Sequence, residues 1–522
     1  MEINLPQAQS EAAAPAEFVQ TQSWLWQPNL IVFISSGCIM VLELVAGRII
    51  APYVGVSLYT WTTVIGVVLA GISLGNYLGG RLADRFASLR FLGLIFVAGG
   101  LASMGVLTVD RVGRLTPDTW PAVAEILVVV TSLFFLPSLI LGTISPVVAK
   151  LAVRDLAKTG VTVGKIYAFG TAGSIVGTFA TGFVLISWFG THTIVWGVAA
   201  VLITLGLLLA LSDRRLLLAG LVLLAAGTIG AATQGWLQGP CLRETNYFCI
   251  KVKDEEKNGG PVRVLVLDRL VHSYSALDDP TKLVYGYEKI YAEVTAYQAR
   301  HASPLRTLFI GGAGYTFPRY VAAEYPGSDV HVIEIDPGVT QVAYEYLGVP
   351  ADAAIVTTNQ DARLFLERAP TSRYDLIMGD AFNDFSVPYH LTTHEFNQRV
   401  QQWLAPDGVY MVNLIDGVRG DFLRAYIYTL RQTFAHVYLA PASTSWREAS
   451  RTTFVLLASG TPLDETLLKE VSAAGSGILA DRLFTEAEID AILAEGAVVF
   501  LTDQYAPVDQ MLAPVFRGET ER

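Results

Sequence analysis

Three short apolar runs in the second half of the chain end in acids. Asp329-Val-His-Val-Ile-Glu334-Ile-Asp336 is the first, Ala354–Thr358 runs into Asp361, and Tyr374-Asp-Leu-Ile-Met-Gly-Asp380 closes on Asp380. Ahead of them, Leu305–Thr316 is apolar until it breaks into Gly311-Gly312-Ala313-Gly314, with a helix-compatible Phe317–Tyr325 beyond. A strand, a tight turn and a helix are predicted, with glycines that let backbone approach a ligand. Gly311 and Glu334 stand 23 residues apart, about the spacing at which a nucleotide fold presents a carboxylate to ribose hydroxyls. Glu334 would accept two hydrogen bonds from one sugar. Ligands of open parallel sheets bind beyond the carboxyl ends of the strands, so Glu334, Asp361 and Asp380 are expected to share one crevice. There Asp380 could hold a cationic amine and take its proton; the competing reading is a helix N-cap.

These elements sit in a chain of 522 residues that is 52% hydrophobic and only 16% charged, too greasy for one soluble domain. The apolar content lies before residue 235 and the dense charge after 240, which puts a boundary near Gln238–Pro240. Residues 1–28 carry Glu2, Glu11 and Glu17 but no Lys or Arg, so they read as a mobile tail rather than a cleaved signal peptide. Residues 29–235 form a transmembrane domain of about seven helices, from apolar stretches at about 29–50, 59–80, 91–109, 121–149, 163–188, 192–211 and 216–234, each near the ~20 residues that span hydrocarbon. Glycines at Gly71, Gly75 and Gly79, and at Gly170, Gly173, Gly177 and Gly182, suit close helix packing. Glu43 and Arg48 lie in the first span, where each should pair with a neighbouring helix or face a cavity.

Basic residues alternate between loops. Arg81, Arg85 and Arg90, then Lys150, Arg154, Lys158 and Lys165, then Arg214 and Arg215 mark one side, against Arg111 and Arg114 on the other. That pattern places the chain as a multi-pass protein of the cell (inner) membrane with its amino terminus in the cytoplasm and, after seven spans, its soluble half outside. Cys241 and Cys249 follow the last span, and a disulfide or two separate thiols are both open. With a net charge of −11 and no basic stripe in the soluble half, nucleic acid is excluded as a partner.

In the soluble half, Glu244–Lys253 and Val262–Val271 flank Asn258-Gly-Gly260 as a β-hairpin. His272–Pro280 and the aromatic Tyr285-Gly-Tyr287-Glu288-Lys-Ile-Tyr291 follow, then strand and helix alternate from 305 to about 460. The ordered set Leu267-Asp268, Tyr285…Glu288, Ile310-Gly-Gly-Ala-Gly314, Val332-Ile-Glu-Ile-Asp336, Asp361-Ala-Arg363, Tyr374-Asp-Leu-Ile-x-x-Asp380 and Leu404-Ala-Pro-Asp-Gly408 resembles the spermidine synthase (polyamine aminopropyltransferase) family, in its membrane-fused bacterial type. The resemblance covers about 243–460. It implies a small β subdomain with an N-terminal hairpin (241–300) and a Rossmann-like, class I methyltransferase-type α/β domain (301–460); beyond it, residues 461–522 read as a helical and irregular C-terminal extension.

The ligand it implies is S-adenosylmethionine or its decarboxylated form, with methylthioadenosine as product, and no further cofactor or metal. Residue by residue, Glu334 matches the ribose-binding acid, Asp361 the acid at the adenine amine, Gly311, Gly312 and Gly314 the glycine turn, and Asp380 the catalytic acid; Tyr285 or Tyr287 matches the gate-side tyrosine. Two departures stand out. The acid that grips the donor's amine is Gly314 here, and the family's Gln is His272, which would hold a ligand carboxylate or sit satisfied in the core. The second acid of the loop is displaced to Asp384. Aminopropyl transfer to a polyamine is therefore set beside a lyase acting on intact S-adenosylmethionine to give methylthioadenosine and homoserine lactone, a methyltransferase, and a nucleoside-binding transporter or sensor. The implied partners are a small sulfonium nucleoside, a polyamine and the lipid bilayer, with homo-oligomerisation open. Such a ligand is made in the cytosol, so substrate supply and loop charge point to opposite sides.

Overall fold

The computed structural model describes residues 27–113, 120, 122–153, 155–211, 213–257, 259–382 and 387–515. Arg114, Arg154, Asn258, Asp384 and almost all of the amino-terminal tail lie outside the described residues.

Seven helical stretches long and apolar enough to cross a membrane come first: α1 (Pro28–Val54), α2 (Leu58–Phe86), α3 (Leu89–Gly113), α4 (Val123–Ala152), α5 (Leu156–Trp188), α6 (Thr191–Ala210) and α7 (Arg214–Thr233). Several run longer than the apolar stretches, so Arg81, Arg85 and Lys165 ride on helix ends rather than in loops. Their glycines pack backbone on backbone: a Cβ at Gly177 would stand 2.5 Å from the Gly37 carbonyl oxygen, and one at Gly79 2.7 Å from the Thr143 Cα. Such small-residue contacts let the helix backbones approach closely. Lys150 pairs with Asp84 at 2.9 Å, joining the ends of α2 and α4 on the face that carries the basic loops. Arg48 meets the second of the two expectations, lining a cavity with Pro52, Thr191 and Glu244. Its guanidinium leaves the bundle and donates to the backbone carbonyls of Thr245 and of Asn246, the latter at 3.0 Å, in the soluble half.

Beyond these seven apolar helices, β1 (Arg243–Glu244), β2 (Cys249–Lys257), β3 (Gly260–Leu267) and β4 (Leu270–Ser275) form an antiparallel sheet in sequence order. Cys241 and Cys249 are joined as a disulfide across its first turn. One face of this sheet closes its own small core with Val262, Val264, Val266 and Ala276. Ile250, Leu265 and Leu267 on the other face join the core of the next domain, so the two share one interior.

That domain holds a seven-stranded sheet built from β5 (Arg306–Ile310), β6 (Asp329–Ile333), β7 (Ile355–Thr358), β8 (Tyr374–Gly379), β9 (Leu404–Asp416), β10 (His436–Pro441) and β11 (Thr452–Ser459). Its order is β10-β11-β9-β8-β5-β6-β7, parallel from β9 to β7 and antiparallel at β11 and β10. The buried runs Leu308–Ile310 and Leu376–Met378 are continuously apolar because helices cover both faces. The chain winds from β5 out to β7 and then returns to place β8 on the other side of β5. This reversal makes a crevice at the carboxyl ends of β5, β6 and β8. Helix α8 (Gly286–Gln298) packs on the sheet and anchors the carboxyl-terminal helices. Its buried Glu293 accepts the Ser472 hydroxyl at 2.7 Å and the Ile478 and Leu479 amides at 2.9 and 2.8 Å.

Candidate functional site

Each candidate acid of the crevice sits at or just past the end of its strand, as the alternation of apolar runs and turns dictates. Gly311 follows β5 with φ at +93°, a backbone state that favours glycine. A Cβ there would lie 2.5 Å from the Asp380 carbonyl oxygen, so the turn after β5 and the end of β8 touch through bare backbone. The Asp380 amide also donates to the Ile310 carbonyl at 2.9 Å. A Cβ on Gly312 would meet the Tyr315 ring at 2.6 Å, and one on Gly314 would overlap the Ser273 hydroxyl. A side chain at any of these three positions would therefore meet protein atoms, so the turn packs tightly as bare backbone against its neighbours.

Asp380 is the best-supported acid. Its Oδ2 accepts the Tyr287 hydroxyl at 3.0 Å and its Oδ1 the Asn413 amide at 2.8 Å. These bonds favour the charged form, but burial outweighs them and holds the carboxyl above its ordinary range. Asp380 caps no helix among the described residues; the N-caps in this region are Asp336, on the Gly338 amide at 2.8 Å, and Asp361, on the Leu364 amide at 3.0 Å. A carboxylate held by two neutral donors keeps lone pairs for a cationic amine and is basic enough to take its proton.

The two tyrosines separate. Tyr287 touches Asp380, whereas Tyr285 donates to the Val271 carbonyl at 3.3 Å and packs its ring 4.9 Å from Tyr274 and 5.4 Å from Tyr287. Below them Glu288 is buried and pushed up to about 8, by burial first and by Asp380 as well, while its carboxylate accepts the Tyr285 amide at 3.2 Å.

Glu334 is buried at the end of β6. Its Oε2 accepts the Gly312 amide at 2.8 Å and the Ala313 amide at 3.3 Å, and its Oε1 the Asp336 amide at 2.9 Å. Burial raises its carboxyl and these three amides lower it. The acid therefore ties the glycine turn to the end of the neighbouring strand. Asp361 turns its second oxygen toward His390 Nε2 at 3.1 Å.

His272 lies beside Phe248, and its Nδ1 stands 3.0 Å from the Leu270 carbonyl, which makes Nδ1–H the donor. Burial, with the nearby charge of Arg451, pulls the imidazole down to about 4. A neutral ring whose remaining nitrogen is an acceptor offers a carboxylate neither charge nor proton. A cation does lie on this side: the charge of Arg451 acts on both His272 and Tyr285.

Three partners escaped sequence reading. Asn413 had a signal, a lone amide in the apolar run Val409–Ile415. His390 had none. Ser273 adjoins a residue that was singled out, yet only the fold turns its hydroxyl onto Gly314. That hydroxyl is buried with no hydrogen-bond partner among the described residues. Among those residues no group of three or more His, Cys, Asp or Glu could hold a metal ion.

No family model matches the chain. It is 28% identical over 217 residues to a polyamine aminopropyltransferase of Vibrio vulnificus, a match covering 40% of this chain and 69% of that one. It is 25% identical over 411 residues to polyamine aminopropyltransferase 2 of Streptomyces coelicolor, covering 72% of this chain and 71% of the other. That share is more than residues 241–522 can supply, so the likeness continues into the seven apolar helices. A probable spermidine synthase of Corynebacterium glutamicum aligns in structure with a TM-score of 0.44 and 21% identity, over 50% of this chain and 95% of that one.

Proposed function

We propose that this chain, whose soluble half is similar to polyamine aminopropyltransferases of the spermidine synthase family, is a membrane-embedded enzyme that breaks the Cγ–S bond of an adenosyl sulfonium. The carrying observation is Asp380, half-buried at the switch point of the sheet and held by Tyr287 and Asn413. In the transfer, the lone pair of a polyamine nitrogen forms a bond to the carbon next to sulfur. The C–S pair stays on sulfur, giving neutral methylthioadenosine, and the proton leaving nitrogen goes to Asp380. Glu334 and Asp361 are the acids we assign to the ribose and the adenine.

A second reading is favoured by Gly314 and Ser273. Where the family carries an acid that grips the donor amine, this chain has a glycine covered by an unpartnered buried hydroxyl. An acid there repels the α-carboxylate of intact S-adenosylmethionine, and its absence removes that repulsion. The donor's own carboxylate oxygen would then attack Cγ, closing homoserine lactone and expelling methylthioadenosine with no amine required. Holding both reacting groups in one molecule lowers the barrier by several kcal/mol.

Full-length protein in detergent, given either decarboxylated donor with putrescine or intact S-adenosylmethionine alone, is expected to release methylthioadenosine from one of the mixtures. Spermidine from the first supports transfer, and methylthioadenosine from the second without amine supports the lyase. Binding without product from either mixture refutes the enzymatic reading and leaves a sensor or transporter.

We also assign the soluble half to the outside. The basic loops gather on the face marked by Asp84 and Lys150, and the Cys241–Cys249 disulfide suits an oxidising compartment. A cysteine at the exposed position of Glu465→Cys is expected to react with a membrane-impermeant maleimide on intact cells; labelling only after lysis reverses the orientation.

A further inference from the structure

Resting on the assignment of Glu334 to the nucleoside, we propose that Arg48 of the first membrane helix is a positioning residue for that site, acting through Thr245 and Asp336 on Glu334. The contacts are continuous. Arg48 donates to the carbonyls of Thr245 and Asn246. The Thr245 hydroxyl donates to Asp336 Oδ2, and the Thr245 methyl packs so closely that a Cβ on Gly338 would overlap it. Asp336 caps the helix Pro337–Tyr346 through Oδ1 and gives its own amide to Glu334 Oε1 at 2.9 Å. The other oxygen of Glu334 holds the Gly312 and Ala313 amides. Four side chains and one turn of backbone thus run from the bilayer to the glycine turn.

Other features of the segment 241–249 keep it stiff. The disulfide closes it on itself. Glu244 accepts the Thr191 amide at 2.7 Å and the Thr191 hydroxyl at 3.2 Å at the start of α6, so a second membrane helix grips it. Arg243 reaches Glu345 at 3.3 Å on the far side. An arginine within an apolar helix is costly to bury. Here its two carbonyl bonds lie on a strut that stands between the membrane bundle and the end of β6. Were Arg48 only a fold-stabilising group, its loss would loosen the junction and leave the glycine turn alone. If it positions the site, the loss travels to Glu334.

The test uses full-length protein in nanodiscs, with Arg48→Gln, Thr245→Val and Thr245→Ser. Hydrogen exchange of the Gly312 and Ala313 amides, which donate to Glu334, is expected to quicken about fivefold in Arg48→Gln and in Thr245→Val, a size typical of coupling through contiguous contacts. It should quicken no further when the two are combined and stay near wild type in Thr245→Ser, while β11 amides are unchanged. In parallel, the KM for the sulfonium should rise about fivefold with kcat held. Unchanged exchange at Gly312 and Ala313 in both Arg48→Gln and Thr245→Val overturns the proposal, as does an equal effect of Thr245→Ser and Thr245→Val. Should wild type turn over and bind no sulfonium, the functional reading falls, while the exchange experiment still decides the coupling. Thr245→Val lies in the soluble half and tests the Thr245–Asp336 link even if Arg48→Gln does not insert: unchanged exchange at Gly312 and Ala313 in it breaks the path and overturns the proposal.

Discussion

Asp380→Asn is expected to lower the rate of methylthioadenosine release about a hundredfold to ten-thousandfold, the range that loss of a positioned general base produces. Asparagine preserves the shape and can still accept from Tyr287, so the fold should survive and KM for the nucleoside should move little. What it loses is the negative charge that holds a cationic amine and the site that takes its proton. Asn413→Ala should cost less, because it removes one of two donors to the carboxylate and leaves the base in place. Equal rates in wild type and Asp380→Asn would remove Asp380 from the chemistry.

The pH profile carries the same assignment independently. Burial raises the Asp380 carboxyl above its ordinary value, and the bonds from Asn413 and Tyr287 oppose the rise. The active form is the carboxylate, so activity is present above this raised value and falls as the pH drops through it. Loss of Asn413 removes a bond to the charged form, which should move that acid limb further up the scale. Glu288, pushed up to about 8, feels the Asp380 charge, so the limb belongs to the pair rather than to either residue. In Asp380→Asn the limb should vanish along with most of the rate.

Much of this was legible in the sequence because it is written in local patterns. Strands that end in acids, glycines that break an apolar run, and membrane-length apolar stretches each follow from short-range rules. The order of elements then implies a parallel sheet whose crevice gathers Glu334 and Asp380. The rest was not legible, for a physical reason. Which of Tyr285 and Tyr287 faces Asp380 depends on how α8 sits over the sheet: Tyr285 is its extended N-cap residue and Tyr287 lies in its first turn, so the two side chains leave in different directions. Arg48 could not be matched to its partner from spacing, since the carbonyls it meets lie nearly two hundred residues on in the chain. A charge buried in an apolar helix announces that it needs a partner; it does not say which.

The largest change of specificity is expected at Gly314, and the fold alters how it must be made. Restoring the acid alone, as Gly314→Asp, puts a Cβ 2.7 Å from the Ser273 Cβ and on top of its hydroxyl. Something must shift, and the neighbour is a β4 residue paired with Leu265 in a buried sheet. Gly314→Asp is therefore expected to lose turnover with both donors and to melt earlier than wild type. Adding Ser273→Gly frees the volume and removes the unpartnered hydroxyl. The double variant should then recover its stability and shift its preference toward the decarboxylated donor by about tenfold or more. That figure corresponds to about 1.4 kcal/mol or more, within reach of a new charge-assisted bond to the donor amine together with repulsion of a carboxylate. The ratio of kcat/KM for decarboxylated over intact donor, measured in wild type and double variant, gives the answer. If Gly314→Asp alone is as stable and active as wild type, the steric argument fails. If the double variant folds and the ratio stays where it was, position 314 does not face the tail of the donor, and neither Gly314 nor Ser273 selects between the two sulfoniums.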